Sequence, residues 1–254
     1  MKLKQLVHVI PAVFRKRQLA KKVKDIKANF RVVISLTSFD KRIQFIQPVI
    51  NSIKKQSFKV DKIHLNLTED VKVNDAIRND PDIQINYFSI DYGPARKLLH
   101  TLAVETAPDT LIITVDDDMI LQKYLIANIV HYSLQFPDSA IAHGGWNVRS
   151  FIEREDDTFQ NSDFVNQIDE LPQQVDILEG YSCVAYRRSF FDDSIFDYSD
   201  APPEAYYVDD VWFGGHLNKK QIKKIVVPII DGKRISLFEM WKIYFREMPQ
   251  SAID

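Results

Sequence analysis

The sequence predicts an α/β protein with a mostly parallel central sheet flanked by helices and right-handed crossovers. Three observations lead there. Short apolar runs alternate along the chain with segments of helical periodicity. The run at 111–115 (Leu-Ile-Ile-Thr-Val) is short, β-branched and uncharged, as expected of a strand covered on both faces. Polar side chains gather directly after successive runs: Thr37, Ser38 and Asp40, then Glu69 and Asp70, then Asp116, Asp117 and Asp118. In such a sheet they share one carboxyl edge, where ligands bind in open α/β folds.

The elements follow in order. Residues 31–36 are the first strand, followed by a polar loop. A helix spans about 42–56, because Ile43, Ile46, Val49, Ile50 and Ile53 fall on one face. Residues 62–67 and 83–88 are the second and third strands. Asp91-Tyr-Gly-Pro opens a turn, and Pro94 suits the first turn of a helix reaching about residue 106. Residues 111–115 are the fourth strand, 122–136 the next helix and 140–143 a further strand. Gly144-Gly-Trp is a turn, and the acidic, polar stretch 150–172 is an excursion or mobile loop. Strand character returns at 175–188, and a Pro-rich loop occupies 200–206. A helix then begins near Tyr207, with Asp209 and Asp210 in its first turn, at the positive end of the helix dipole. Residues 225–230 form a last apolar run. The stretch from 235 is amphipathic and aromatic-rich, a helix that closes the core.

The 254 residues suit one large domain or a domain with an extension. A net charge of -2 favours no polyanion, so nucleic acid is not an expected partner. The single cysteine, Cys183, excludes an intramolecular disulfide framework and fits a reducing compartment. No apolar stretch approaches the length of a membrane span, and no secretory signal is apparent. The expected localisation is therefore cytoplasmic. Residues 1–31 hold ten Lys or Arg and one acid, Asp25, with apolar residues interleaved at near-helical spacing. Such a segment lies either on an anionic membrane surface, here the inner face through residues 1–28, or on the domain itself.

Three adjacent carboxylates at the tip of a core strand repel one another and are costly to bury without a counter-ion. A hard divalent cation, Mn2+ or Mg2+, resolves that conflict, because such ions take oxygen ligands and complete their shells with water and phosphates. In an extended segment Asp116 and Asp118 point to the same side, so one cation engages both. The competing reading is that Asp118 caps the following helix. Arg96 and Lys97 follow Gly93-Pro94-Ala95 at a helix start, where a diphosphate would be attracted. Alternatively, they are a solvated basic pair. Asp209 and Asp210 are a second acidic site, flanked by Tyr206, Tyr207, Trp212 and Phe213. One of them can act as a base or, alternatively, both are N-terminal caps. His216 is a candidate further metal ligand.

These motifs, in this order, resemble the GT-A glycosyltransferase superfamily over about residues 31–230. Val32-Val-Ile-Ser-Leu-Thr-Ser looks like its first nucleotide-binding strand, and Leu111-Ile-Ile-Thr-Val-Asp-Asp-Asp like the strand bearing its Asp-x-Asp motif. Leu178-Glu-Gly-Tyr-Ser-Cys-Val-Ala-Tyr looks like the acceptor-side strand. Val208-Asp-Asp-Val-Trp-Phe-Gly looks like the Glu-Asp-Val-x-x-Gly segment of β-galactosyltransferase and fringe-like members, with Asp209 in place of the usual glutamate.

The resemblance implies a Rossmann-like GT-A sheet with an acceptor-side extension. It divides the chain into a basic segment (1–30), a transferase domain (31–235) and a C-terminal helix (236–254). Within the domain, 31–143 would serve donor and metal and 144–235 the acceptor. Asp116 and Asp118 would hold the metal on a nucleotide-sugar diphosphate. Thr37, Asp70, Arg96, Lys97, Asp116 and Asp117 would lie along the donor, and Gly180, Tyr181 and Trp212 along a glycan or lipid-linked acceptor. Asp210, or Asp209, would be the base of an inverting displacement, with UDP the favoured nucleotide. A non-catalytic metal-dependent carbohydrate-binding module and a retaining transferase are the alternatives. A nucleotidyltransferase lacks support, because no Gly-rich, arginine-containing loop follows the first strand.

Overall fold

The structure, a computed structural model, describes residues 18–154, 160, 163–166, 171–180, 183–230 and 235–236. Strands β1 (Val32–Thr37), β2 (Lys62–Thr68), β3 (Ile83–Phe88) and β4 (Leu111–Thr114) run parallel in the order β3-β2-β1-β4. Their short apolar sequences need helices on both sides, and the pleat shows how that is met. Val32, Ile34 and Leu36 of β1 face helices α2 (Gln47–Lys54) and α5 (Leu125–Gln135). Val33 faces the other way, onto Leu98, Leu99 and Leu102 of α4 (Arg96–Val104) and Phe213 and Leu217 of α7 (Asp209–Lys219).

The sheet continues beyond β4 with β6 (Ser139–Ala142), β9 (Gln173–Gln174), β11 (Val184–Arg187) and β12 (Lys223–Val226), in the order β4-β11-β6-β12-β9. β11 is antiparallel to both β4 and β6, whereas β12 is parallel to β6. A second, three-stranded sheet, β10-β7-β8, is built from β7 (Gly144–Trp146), β8 (Phe164–Asn166) and β10 (Ile177–Leu178). β5 (Met119–Ile120) pairs with β13 (Ile235–Ser236).

Several expectations are corrected. The helix read over 42–56 is two: α1 (Asp40–Ile43) and α2, with Pro48 in the opening turn of α2. Proline there lacks the N–H that a continuous helix needs, so the chain restarts. The strand read over 175–188 is β10 and β11, which belong to different sheets. The turn at 144–146 is strand β7, and the polar stretch after it carries α6 (Val148–Glu153) and β8. Ile235 and Ser236 are strand, not the opening of a helix. The rest of that segment and residues 1–17 lie outside the described residues. α3 (Asp75–Arg78) is a short turn capped by Asn74, whose side chain accepts from the Ile77 N–H. Among the described residues no helix is long and apolar enough to cross a membrane.

Candidate active site

The carboxyl ends of β1 and β4, the start of α4, the turn after β10 and the start of α7 surround a cavity of about 550 Å3. Among the described residues six carboxylates line it: Asp116, Asp117, Asp118, Glu179, Asp209 and Asp210. Among the same residues three cationic side chains do, Arg42, Arg96 and Lys97. The site therefore has an excess of negative charge.

Lys97 is the hub. Its ammonium lies 3.0 Å from Asp116 Oδ1 and 3.0 Å from Asp209 Oδ2, joining the tip of β4 to the first turn of α7. Burial works against its charge, but Asp116, Asp209 and Asp210 outweigh burial and hold its pKa above the usual lysine value. Burial pushes the Asp116 carboxyl up, and Lys97 opposes the shift.

The three aspartates do not stay extended. β4 ends at Thr114 and the chain turns at Asp117 and Asp118, so the expected sharing of one side by Asp116 and Asp118 is not what forms. Asp116 faces Lys97. Asp117 and Asp118 both engage Arg42, at 2.6 and 2.9 Å. The Ser38 hydroxyl donates to Asp117 Oδ2 at 2.5 Å. Burial raises the Asp117 carboxyl, while Ser38 and Arg42 pull it back.

Across the cavity, Asp210 Oδ2 accepts from the Gly180 N–H at 2.8 Å. Its Oδ1 is buried without a hydrogen-bond partner. Burial, and then the neighbouring Asp209, push the Asp210 carboxyl up to about 7, against the pull of Lys97 and the Gly180 N–H. Gly180 lets the Asp210 carboxylate and the Lys97 ammonium come close to the backbone. A Cβ there would lie 2.7 Å from Asp210 Oδ1 and 2.9 Å from Lys97 Nζ. Gly93 is required by conformation, with φ +58°, and it packs on Tyr206.

Thr37, Arg96, Lys97, Asp116, Asp117, Asp118, Gly180, Asp209 and Asp210 all line this one cavity. Thr37 also donates to the Asn66 carbonyl at 2.7 Å, and Arg96 Nε to the Gly93 carbonyl at 3.0 Å. Asp70, Trp212 and His216 do not line the cavity. Asp70 is exposed beyond β2. Trp212 stacks on Tyr198 at 4.2 Å and donates to the Ile195 carbonyl, so its ring serves packing. His216 is buried against Trp212 at 4.7 Å, outside the cavity lining. Tyr181 lies outside the described residues. Sequence reading missed Arg42 and Glu179. A basic residue in the first helix after β1 was the available signal for Arg42.

The donor set fits Mn2+ or Mg2+ in its chemistry: clustered hard oxygens in net negative charge, with a buried carboxylate oxygen unpartnered. Among the described residues no three metal-ligating side chains are already gathered around one point. Asp116 and Asp118 would hold the ion only with water and phosphate oxygens completing its shell.

No protein-family model and no curated protein matches the chain. Solved structures do. The mannosyltransferase PcManGT from Pyrobaculum calidifontis, in complex with GDP-Man and Mn2+, aligns with TM-score 0.50 at 16% identity, over 87% of this chain and 64% of that one. TarS 1-349 from S. aureus aligns with TM-score 0.50 at 13% identity, over 81% of this chain and 59% of that one. A 4-diphosphocytidyl-2C-methyl-D-erythritol synthase from Anaerococcus prevotii aligns with TM-score 0.52 at 11% identity, over 85% and 94%. The chain therefore spans less than two thirds of each of the two transferases. At these identities the likeness is one of fold, and the fold is the GT-A type of α/β sheet.

Proposed function

We propose that this chain is a metal-dependent glycosyltransferase that moves a sugar from a nucleoside-diphosphate donor, UDP-sugar by preference, to a hydroxyl of a glycan or lipid-linked acceptor. The observation that carries the reading is Asp210: a carboxylate raised to about 7, with an unpartnered buried oxygen, facing a cavity rich in charge. Such a group accepts a proton well near neutral pH.

In the inverting displacement, Asp210 takes the proton of the acceptor hydroxyl. The acceptor oxygen bonds to the anomeric carbon as the bond to the diphosphate oxygen breaks, and the nucleoside diphosphate departs with that electron pair. Arg96 and Lys97, both in the cavity wall, would neutralise charge that develops on the leaving diphosphate. A divalent cation bound by Asp116 and Asp118 would supply further neutralisation of that charge. Ser38 and Arg42 hold Asp117 and Asp118 in place at the cavity wall. Attack from the face opposite the leaving group inverts the anomeric centre.

The test is turnover of a panel of nucleotide sugars with Mn2+ against glycan and lipid-linked acceptors. Wild type is expected to release UDP and product of inverted configuration, and Asp210→Asn to release neither while still gaining thermal stability from UDP plus Mn2+. Carbohydrate binding without UDP release would favour the binding module. Release of pyrophosphate in place of UDP would favour nucleotidyl transfer.

A further inference from the structure

Helix α4 carries Arg96 and Lys97 into the cavity, yet it does not rest on the sheet through apolar contacts alone. Lys97, Thr101 and Glu105 recur at intervals of four along one face, running on from the helix into its C-cap. Beneath them stand Ser35 of β1, His64 and Asn66 of β2 and Asn86 of β3, none more than 7% exposed. Side chains of Val or Leu would fill that space without desolvating any polar atom.

The seam is bonded from end to end. Ser35 Oγ donates to the Lys97 carbonyl and meets the Thr101 hydroxyl. Asn66 Nδ2 donates to Ser35 Oγ at 3.0 Å and to Thr101 Oγ1 at 2.9 Å. Asn86 Nδ2 in turn donates to Asn66 Oδ1 at 2.9 Å and to His64 Nδ1 at 3.0 Å. Because His64 Nδ1 accepts there, its Nε2 carries the proton and donates to Glu105 Oε1 at 2.8 Å. Arg31 Nε closes the far end, 3.0 Å from Glu105 Oε2. Of this chain only Lys97 lines the cavity. Sliding or rotating α4 by even part of a turn orphans several buried donors at once, so the seam permits one register.

We propose that Asn66, acting through Ser35 and Thr101, is a positioning residue: it fixes the register of α4 on β1 and β2, and so sets the Lys97 ammonium between Asp116 and Asp209. The kinetic arm of the test rests on the transfer reading above; the structural arm does not.

Thr101→Val keeps the volume and removes the hydroxyl, and Thr101→Ser restores it. With a donor that wild type turns over, Thr101→Val is expected to lower kcat about tenfold or more while the donor KM moves less than about threefold, as for a misplaced charge near the reacting groups. Thr101→Ser should return to within about threefold of wild type. Ile53→Val, in the apolar core on the other face of the sheet, controls for stability and should keep wild-type kcat. A crystal structure of Thr101→Val should show Lys97 Nζ beyond roughly 4 Å from Asp116 or Asp209, the limit of an ion pair. Wild-type kcat in Thr101→Val, or an equal loss in Ile53→Val, overturns the proposal. If Thr101→Val does not fold, Ser35→Ala is read in the same way. If wild type turns over no nucleotide sugar, the transfer reading fails alone, and an unmoved Lys97 in the variant structure is then what overturns this one.

Discussion

Asp210 and Lys97 are opposite answers to one local problem, a crowd of carboxylates in a half-dry cavity. Asp210 answers by holding its proton longer. Its folded pKa of about 7 exceeds that of a free aspartate, so the folded state binds the extra proton and stability falls as pH rises through 7. Two outcomes follow. Turnover should rise with pH along a limb centred near 7, as the base becomes available. Asp210→Asn, which removes the buried charge, should raise Tm by more at pH 8 than at pH 5, read by calorimetry at both. Lys97 answers by cancelling charge. Lys97→Met leaves Asp116 and Asp209 without their shared partner and should destabilise the fold by about 3 kcal/mol in urea titration, as breaking one member of a buried ion pair does. Mg2+ should recover part of that loss.

Among the elements, the parallel strands β1 to β4 and helix α7 were readable because their signals are local. A buried parallel strand is a short apolar run, and Asp209 and Asp210 opened a helix where the dipole favours them. The break at Pro48 was equally local, yet the unbroken pattern of isoleucines masked it. Arg42 escaped notice because it reads as an ordinary surface residue. Only the turn after β4 brings Asp117 and Asp118 round to meet it. The segment between β10 and β11 gives an element-scale prediction. Gly180→Ala brings a methyl group within 2.7 Å of Asp210 Oδ1 and 2.9 Å of Lys97 Nζ, so the Asp210 carboxylate and the Lys97 ammonium must shift. Loss of turnover with unchanged far-UV circular dichroism is the expected result, and normal kcat would contradict the packing described.

For the molecule as a whole, the sequence showed a mostly parallel sheet and a single edge of polar residues, and both are present. It did not show the strand order. The pairing of β11 with β4 joins residues about 70 apart, and no local periodicity encodes such a partner. Asp70 and Trp212 were singled out through the resemblance and His216 by type; Trp212 and His216 are packed against each other outside the cavity lining, and Asp70 stands exposed beyond β2.

The antiparallel β11 has one more consequence. It sits between β4 and β6, so the strand that completes the sheet of residues 31–143 arrives from the later half of the chain. The two halves are interleaved like the fingers of clasped hands, and no cut in the chain separates them cleanly. A fragment ending at residue 143 would leave the long edge of β4 unpaired, an open template for any other strand. Expressed alone, it should aggregate, and adding the missing half in trans should return it to the soluble fraction. The chain before residue 143 and the chain after it thus form one cooperative unit, and whatever loosens one is felt by the other.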